Sequence, residues 1–209
     1  MTRRKAFERD RALQQAIEVF RERGFAATSI DDLMAAMEIG RQSLYDTFGD
    51  KRGLYLEALQ RYGEDSVGRF ARTMQSGASP LAGLEQAMLA FAIEAAGPQG
   101  ACLGVLAVAE FGAADAEVAR LARAAGRAQA AALERRLALA LAGGELHPGL
   151  DPAGAARFVA AVLGGIKVAG RAGADAASLQ DVVRLALVAL RPPAATPPGT
   201  SPARCPGSS

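Results

Sequence analysis

Residues 25–62 read FAATSIDDLMAAMEIGRQSLYDTFGDKRGLYLEALQRY, the most strongly patterned stretch of the chain. Apolar residues at helical spacing predict a short helix whose buried face is formed by Ile30, Leu33, Met34 and Met37. Thr28 or Ser29 is placed to cap this helix. Three residues further on, Asp31 or Asp32 stands where a capping box needs its acidic partner. The segment therefore opens with a short helix that has a defined start.

A turn at residues 38–40 separates this helix from the next one. In the following run Leu44 and Phe48 face inward, and polar side chains face outward: Arg41, Gln42, Ser43, Asp46 and Thr47. Two helices with a short connection, the second presenting polar residues at its N-terminal end, are typical of the helix-turn-helix, whose second helix enters the major groove of DNA. For an isolated segment, a polar helix face that is merely solvated is the alternative.

The outward side chains suit two kinds of DNA contact. Arg41 matches the two acceptors of guanine, and Gln42 matches the donor and acceptor of adenine, so both are predicted to read bases. Contacts to phosphate fix the register of a protein on DNA without reading sequence. Such contacts are predicted for Thr28, Tyr45, Thr47 and Lys51.

A wider set of residues resembles the DNA-binding domain of the tetracycline-repressor (TetR) family of bacterial transcriptional regulators. The resemblance covers residues 8–62 and rests on Gly24-Phe25, Thr28-Ser29, Ile30, Leu33 and Leu44-Tyr45-x-x-Phe48-x-x-Lys51-x-x-Leu54. It implies that Arg41, Gln42 and Ser43 meet bases, and that Thr28, Tyr45 and Lys51 contact phosphates. Two positions depart from the family pattern. Glu38 replaces a glycine or asparagine suited to positive φ, and Gly40 replaces a capping serine.

Composition agrees with an all-α regulator of this kind. The chain has 209 residues, half of them hydrophobic and none of them tryptophan, with a net charge of only +2. We expect a helix-turn-helix DNA-binding domain at residues 1–52 and a helical effector-binding and dimerisation domain at residues 53–191. A disordered tail rich in proline, serine and glycine is expected at residues 192–209.

Beyond the DNA-binding segment the periodicity stays helical. It predicts helices over about residues 54–75, 81–96, 101–111 and 115–142, another from residue 152, and a last one from residue 178 that ends before Pro192. In the last two helices hydrophobic residues cover more than one stripe, which indicates that each helix is covered on two sides. A two-fold dimer through these helices explains this pattern, and the resemblance implies the same arrangement. A monomer whose core absorbs both helices is the alternative.

The resemblance also implies an effector pocket among the helices that follow the DNA-binding domain. The residues expected to line it are Met88, Phe91, Cys102, Leu106, Phe111 and Phe158. Polar groups near these positions are few, with Glu94, Glu110 and Gln129 as the candidates, so we expect a largely apolar or weakly polar small molecule.

Cys102 supports an alternative mode of regulation. It stands at the start of a predicted helix, where a thiol becomes more reactive, and it resembles cysteines of TetR-like proteins that sense electrophiles or oxidants. A free cysteine is equally a common small hydrophobic core residue. A thiol-sensing regulator is therefore the alternative to reversible ligand binding.

The sequence offers little support for an enzyme, a metalloprotein or a membrane protein. The single histidine, His147, lies in a loop without a nucleophilic partner at a recognisable spacing, so we expect no enzyme. The two cysteines offer neither a metal site nor a disulfide framework, and no cofactor is expected. We expect no secretory signal and apolar stretches too short to cross a membrane, and hence a cytoplasmic protein.

Overall fold

A computed structural model describes residues 2–97, 100, 102–112 and 114–192, with side chains from residue 8 onward. The tail expected from residue 192 therefore lies, but for Pro192, outside the described residues. Across the described ranges the chain forms nine α-helices and no strand, which confirms the all-α fold. The helices are α1 (Thr2–Arg23), α2 (Ile30–Met37), α3 (Arg41–Phe48), α4 (Lys51–Gln75), α5 (Pro80–Ala96), α6 (Leu103–Phe111), α7 (Ala116–Ala142), α8 (Pro152–Arg171) and α9 (Ala176–Leu190).

The first three helices and the start of α4 pack into a small head. Their shared core includes Phe20, Leu33, Leu44, Leu54 and Tyr55. Ser29 and Asp32 form the predicted capping box at the start of α2: the Asp32 amide donates to Ser29 Oγ at 3.0 Å and the Ser29 amide donates to Asp32 Oδ2 at 2.9 Å. The Ser29 hydrogen bonds lower the pKa of Asp32 to about 2, with a further contribution from Arg23. The start of α2 is thus fixed by local sequence.

The turn between α2 and α3 tolerates the unusual residue at its centre. Glu38 ends α2 with φ 55°, the left-handed conformation that the family pattern meets with glycine or asparagine. Its carboxylate accepts a hydrogen bond from Arg11 of α1 at 2.6 Å. Gly40 occupies the N-cap of α3 without a side-chain hydrogen bond. The connection therefore keeps the geometry of the motif despite both departures in sequence.

The remaining helices form a larger body around a second core. Leu84, Met88, Leu133, Leu137 and Leu163 are among its most deeply buried members. Helix α4 belongs to both parts, since its first half lies in the core of the head and Phe70 and Met74 lie in the core of the body. A single helix thus runs from the head into the body. The predicted domain boundary between residues 52 and 53 falls at the start of this helix.

One expectation about length differs from the structure. Helix α8 is 20 residues long with mean hydropathy 1.4, long and apolar enough to cross a membrane, contrary to the expectation from the sequence. Its inner face, which includes Val159, Leu163 and Ile166, packs in the body core. A single apolar helix packed in this way is weak support for membrane insertion.

Candidate nucleic-acid interface and ligand cavity

The first turn of α3 projects polar side chains from the head. Leu44 and Phe48 anchor the helix in the core, and Arg41, Gln42 and Ser43 are exposed on the opposite side. Arg41 Nη2 donates to Asp31 Oδ1 at 2.8 Å, and Gln42 Nε2 donates to Asp46 Oδ1 at 2.7 Å. Exposed ion pairs of this kind are worth only about 0–1 kcal/mol. A base edge could therefore replace these partners at small cost.

Three of the four predicted phosphate contacts lie in accessible positions. Tyr45 is 41% exposed and Thr47 is exposed, both on α3. Lys51 is half-buried at the start of α4, and its ammonium lies 4.3 Å from the centre of the Phe25 ring. This contact holds the lysine stem against the head near the N-terminal end of a helix, an end that attracts anions.

The structure places Thr28 differently from the sequence prediction. Its side chain is only 2% exposed, and its hydroxyl donates to the Gly24 carbonyl oxygen at 2.6 Å. A buried hydroxyl that is already donating within the protein is poorly available to phosphate. Thr28 instead ties the α1–α2 turn together through this hydrogen bond.

Contacts with α6 and α7 fasten the head to the body. Glu110 of α6 accepts a hydrogen bond from the Phe25 amide at 2.8 Å. A Cβ on the neighbouring Gly24 would lie 2.1 Å from Glu110 Oε1 and would displace this carboxylate, and the φ of 77° independently favours glycine there. Glu110 was expected to offer a polar group to the effector pocket, and the structure instead assigns it to the head–body junction.

A second ionic contact reinforces this junction. Arg52 of α4 donates to both carboxylate oxygens of Asp115, at 2.8 and 3.1 Å, and to Glu117 at 2.9 Å. Asp115 also caps α7 by accepting from the amides of Glu117 and Val118. The Arg52 hydrogen bonds, followed by that from the Val118 amide, lower the pKa of Asp115 to about 2. The same carboxylate therefore fixes a helix start and holds the head.

An aromatic cluster fills the space between these contacts. The rings of Phe20, Phe25, Tyr55 and Phe111 pack with centroids 5.0–6.5 Å apart. Burial raises the pKa of the Tyr55 hydroxyl, and the charges of Glu110 and Asp115 add to this effect. Phe111 was predicted to line the effector pocket, and its place in this cluster corrects that prediction.

A large cavity opens among α4, α5, α6, α7 and α8. Its volume is about 540 Å³, within the range typical of ligand sites. Of the six residues expected to line an effector pocket, Phe91 and Cys102 lie on its wall. The other predicted lining residues lie elsewhere: Met88 and Leu106 are buried, Phe111 packs beside the head, and Phe158 is 42% exposed on the outside of α8.

The polar groups of the cavity differ from those predicted. Gln129 is on its wall, but Glu94 lies in an adjoining recess. Three further polar residues that line the cavity were not predicted from the sequence: Tyr62, Ser66 and Lys167. The sequence could have indicated Lys167 as a functional residue, because a lysine that directly follows the apolar run of α8 needs a polar environment for its ammonium.

Cys102 sits beside two of these missed residues. Burial raises the pKa of its thiol, but the charge of Lys167 and hydrogen bonds from Tyr62, the Val105 amide and Lys167 outweigh it, so the pKa is lowered overall. The pKa of the Tyr62 hydroxyl is raised by burial and by Cys102. Within the described residues, no group of three or more histidine, cysteine, aspartate and glutamate side chains could hold a metal ion.

Comparisons with known proteins show which family the chain belongs to. Residues 12–58 match the model of "Bacterial regulatory proteins, tetR family". The TetR family transcriptional regulator CifR, solved as a double cysteine mutant with 26-bp double-strand operator DNA, is 31% identical with a TM-score of 0.76 over 87% of this chain and 96% of that one. The chain belongs to the TetR family. It is a DNA-binding transcriptional regulator with a helix-turn-helix head.

Other relatives are similar to this chain over different shares of its length. The transcriptional repressor ComR of Escherichia coli K12 is 28% identical over 197 residues, 90% of each chain. The transcriptional regulator YezE of Bacillus subtilis is 50% identical over 62 residues, 30% of this chain and 32% of YezE. A TetR family regulator from Agrobacterium tumefaciens, 22% identical, superposes with a TM-score of 0.77 over 89% of this chain and 98% of that one, which shows the shared fold.

Proposed function

We propose that this TetR family member is a cytoplasmic repressor that binds a pseudo-palindromic operator as a homodimer and leaves it when a small molecule enters the cavity. The observation that carries the proposal is the exposed first turn of α3, held on a head whose junction with the body involves the same helix, α6, that lines the cavity. The ComR relative is named a repressor, and the CifR structure contains operator DNA, which supports this interpretation.

In this proposal the head makes two kinds of contact with DNA. Arg41, Gln42 and Ser43 read base edges in the major groove, because they are exposed at the N-terminal end of α3 and their present partners are weak. Tyr45, Thr47 and Lys51 contact phosphates and set the register. Thr28 supports the turn without touching DNA.

The dimer forms through α8 and α9. Helix α9 exposes Val182, Leu185 and Val188, of which Leu185 is 71% exposed, and α8 exposes Phe158. On α8, a Cβ added at Gly165 would meet nothing within 4 Å, whereas one at Gly170 would lie 2.3 Å from the Ala95 carbonyl oxygen. Gly170 thus serves packing inside the protomer, and the open Gly165 suits close approach of a second copy.

Effector release is a coupled equilibrium between two arrangements of the heads. Helices α4 and α6 both line the cavity and both contact the head, so a ligand that fits only one arrangement favours it. A shift from 99:1 to 1:99 needs a differential affinity of about 5.5 kcal/mol. We favour this mechanism over a thiol switch because Cys102 is 6% exposed on the wall of a preformed cavity. No cofactor and no catalytic step are part of the mechanism.

Selection of binding sites from random duplexes, followed by variants of the head, tests the division of roles. Arg41→Ala or Gln42→Ala should relax base preference at one position of the selected site by about 1–3 kcal/mol. Lys51→Ala should weaken all duplexes alike and reduce the salt slope by about one unit. Arg135→Ala is the matched control, because it removes an exposed cation near the far end of α7.

Two results would contradict the proposal. One is a uniform loss of affinity in Arg41→Ala that matches the loss in Lys51→Ala. The other is a wild-type protein that enriches no common sequence from the random duplexes, since a repressor must prefer its operator over competitor DNA.

A further inference from the structure

The ligand cavity contains one cationic side chain among its described lining residues. Lys167 reaches the wall from α8, and its ammonium lies 5.0 Å from the centre of the Phe91 ring. No carboxylate within the described part of the chain lies within 4 Å of this ammonium, and none lines the cavity. Glu94 lies in the adjoining recess and pairs with Arg69 at 3.6 Å. Among the described residues the Lys167 charge therefore acts on the Cys102 thiol, to which it also donates a hydrogen bond, and no carboxylate neutralises it.

Two further features of the same wall favour a negative group. Cys102 is the N-cap of α6 and its thiol accepts a hydrogen bond from the Val105 amide in the first turn, so the positive end of the helix dipole lies at this wall. The hydroxyls of Tyr62 and Ser66 also lie on the wall and can donate hydrogen bonds to an acceptor. Tyr62, Ser66 and Cys102 line one small recess together with Lys167, and Glu94, which is paired with Arg69, lines the same recess.

The rest of the cavity is apolar. Phe70, Val105, Val108, Leu121 and Val168 contribute to its wall, and Gln129 is a further polar residue. A cavity of about 540 Å³ has room for a medium-sized organic molecule. Apolar walls with polar groups gathered at one side match a molecule that has a long apolar body and one polar end.

We propose that the cavity binds organic anions that carry an apolar body and a single negative head group, with the head group against Lys167. The inference rests on the proposed function for its regulatory meaning, and it names the class of effector. A carboxylate at this place accepts a charge-assisted hydrogen bond from the ammonium and further bonds from the two hydroxyls. The apolar body occupies the space towards α7.

Calorimetric titration of the full-length protein with three ligands of equal chain length tests the charge preference. The ligands are decanoate, decanamide and decylammonium, each below its micelle concentration. Decanoate should bind at least about tenfold more tightly than decanamide, which corresponds to about 1.4 kcal/mol. Decylammonium should bind more weakly still, because its charge repels Lys167.

Variants of α8 assign the preference to one side chain. Lys167→Gln should remove the tenfold preference for decanoate. Lys167→Arg keeps the positive charge and should keep the preference, which shows that position 167 tolerates substitution. Arg171→Gln, which removes an exposed cation one turn further along the same helix, should leave the preference intact. Cys102→Ser should also keep it, because the thiol is not the anion's partner in this proposal.

The proposal is overturned if decanamide or decylammonium binds as tightly as decanoate, if Lys167→Gln retains the preference, or if Cys102→Ser abolishes it. Failure of the proposed function looks different, because it is measured on a selected duplex. If decanoate binds through Lys167 but leaves duplex affinity unchanged, the ligand class stands and effector release fails. If the apo protein binds its duplex and shows no anion preference, the ligand class fails and the DNA-binding role stands.

Discussion

In the head, the exposure and the contacts of single residues distinguish structural roles from candidate DNA-binding roles. Thr28 and Lys51 both match positions of the TetR pattern, but Thr28 is 2% exposed and Lys51 is half-buried with its ammonium over a ring at the surface. A residue can thus be part of a DNA-binding signature because it stabilises the fold of the head.

The buried hydroxyl of Thr28 gives a prediction about stability. Thr28→Val keeps the shape of the side chain but leaves the Gly24 carbonyl oxygen without its donor, which should lower the free energy of unfolding by about 1–3 kcal/mol. Thr28→Ser keeps the hydroxyl and should lose much less. Urea unfolding of the two variants measures the difference. A Thr28→Val protein of unchanged stability but much weaker duplex binding would restore the phosphate role.

At the scale of helices, local sequence predicts starts and ends well. Ser29 with Asp32 marks the start of α2 as predicted, and Ser79 and Asp151, each followed by a proline at the first helical position, cap α5 and α8 by side-chain hydrogen bonds. Contacts between distant helices were not predictable in this way. Glu110 meets Phe25 across 85 positions and Arg52 meets Asp115 across 63, and no periodicity encodes such pairings.

The cavity was only partly predictable for the same physical reason. Helical periodicity shows which side of a helix is apolar, but it does not show which apolar side lacks a neighbour. Phe91 and Phe158 are both apolar aromatic residues on such faces, yet one lines the cavity and the other lies outside on α8. Packing of five helices decides between these places.

The carboxylate at the start of α7 gives a prediction about the stability of the fold at low pH. The folded pKa of Asp115, about 2, lies below its ordinary value of 3.8, so its carboxylate stabilises the fold fully above about pH 4. This contribution is lost as the pH falls through 2. Asp115→Asn should therefore be less stable than wild type at neutral pH, and the difference should shrink between pH 4 and pH 2.

Unfolding in urea at a series of pH values measures this effect. Asparagine still caps helices, so the lost stability reports mainly the contact with Arg52. Glu117→Gln is the control, because it removes the second and more exposed partner of Arg52 and should have a smaller effect. A stability gap that stays constant down to pH 2 would show that the Asp115 carboxylate is not the group responsible.

For the whole molecule, the proposed dimer makes DNA recognition depend on two heads at a fixed separation. Each head presents only the short α3 helix, and the second head adds its contacts as an intramolecular event when the protomers are joined. The exposed apolar residues of α8 and α9 make these helices the best candidates for the joint. Dimerisation should therefore be separable from folding of the protomer.

Leu185→Arg tests this separation, because Leu185 is 71% exposed and is not needed in the protomer core. The charge should prevent close packing of a second copy and yield a folded monomer. Loss of the linked second head should weaken binding to a two-half-site duplex by about 100-fold or more, while binding to a single half-site stays unchanged. Leu139→Arg adds the same charge at a 58% exposed leucine of α7, and it should remain dimeric with full affinity. Sedimentation measures the oligomeric state of both variants, and duplex titration measures their affinity. A dimeric Leu185→Arg protein or a monomeric Leu139→Arg protein would show that the dimer interface is not on α9.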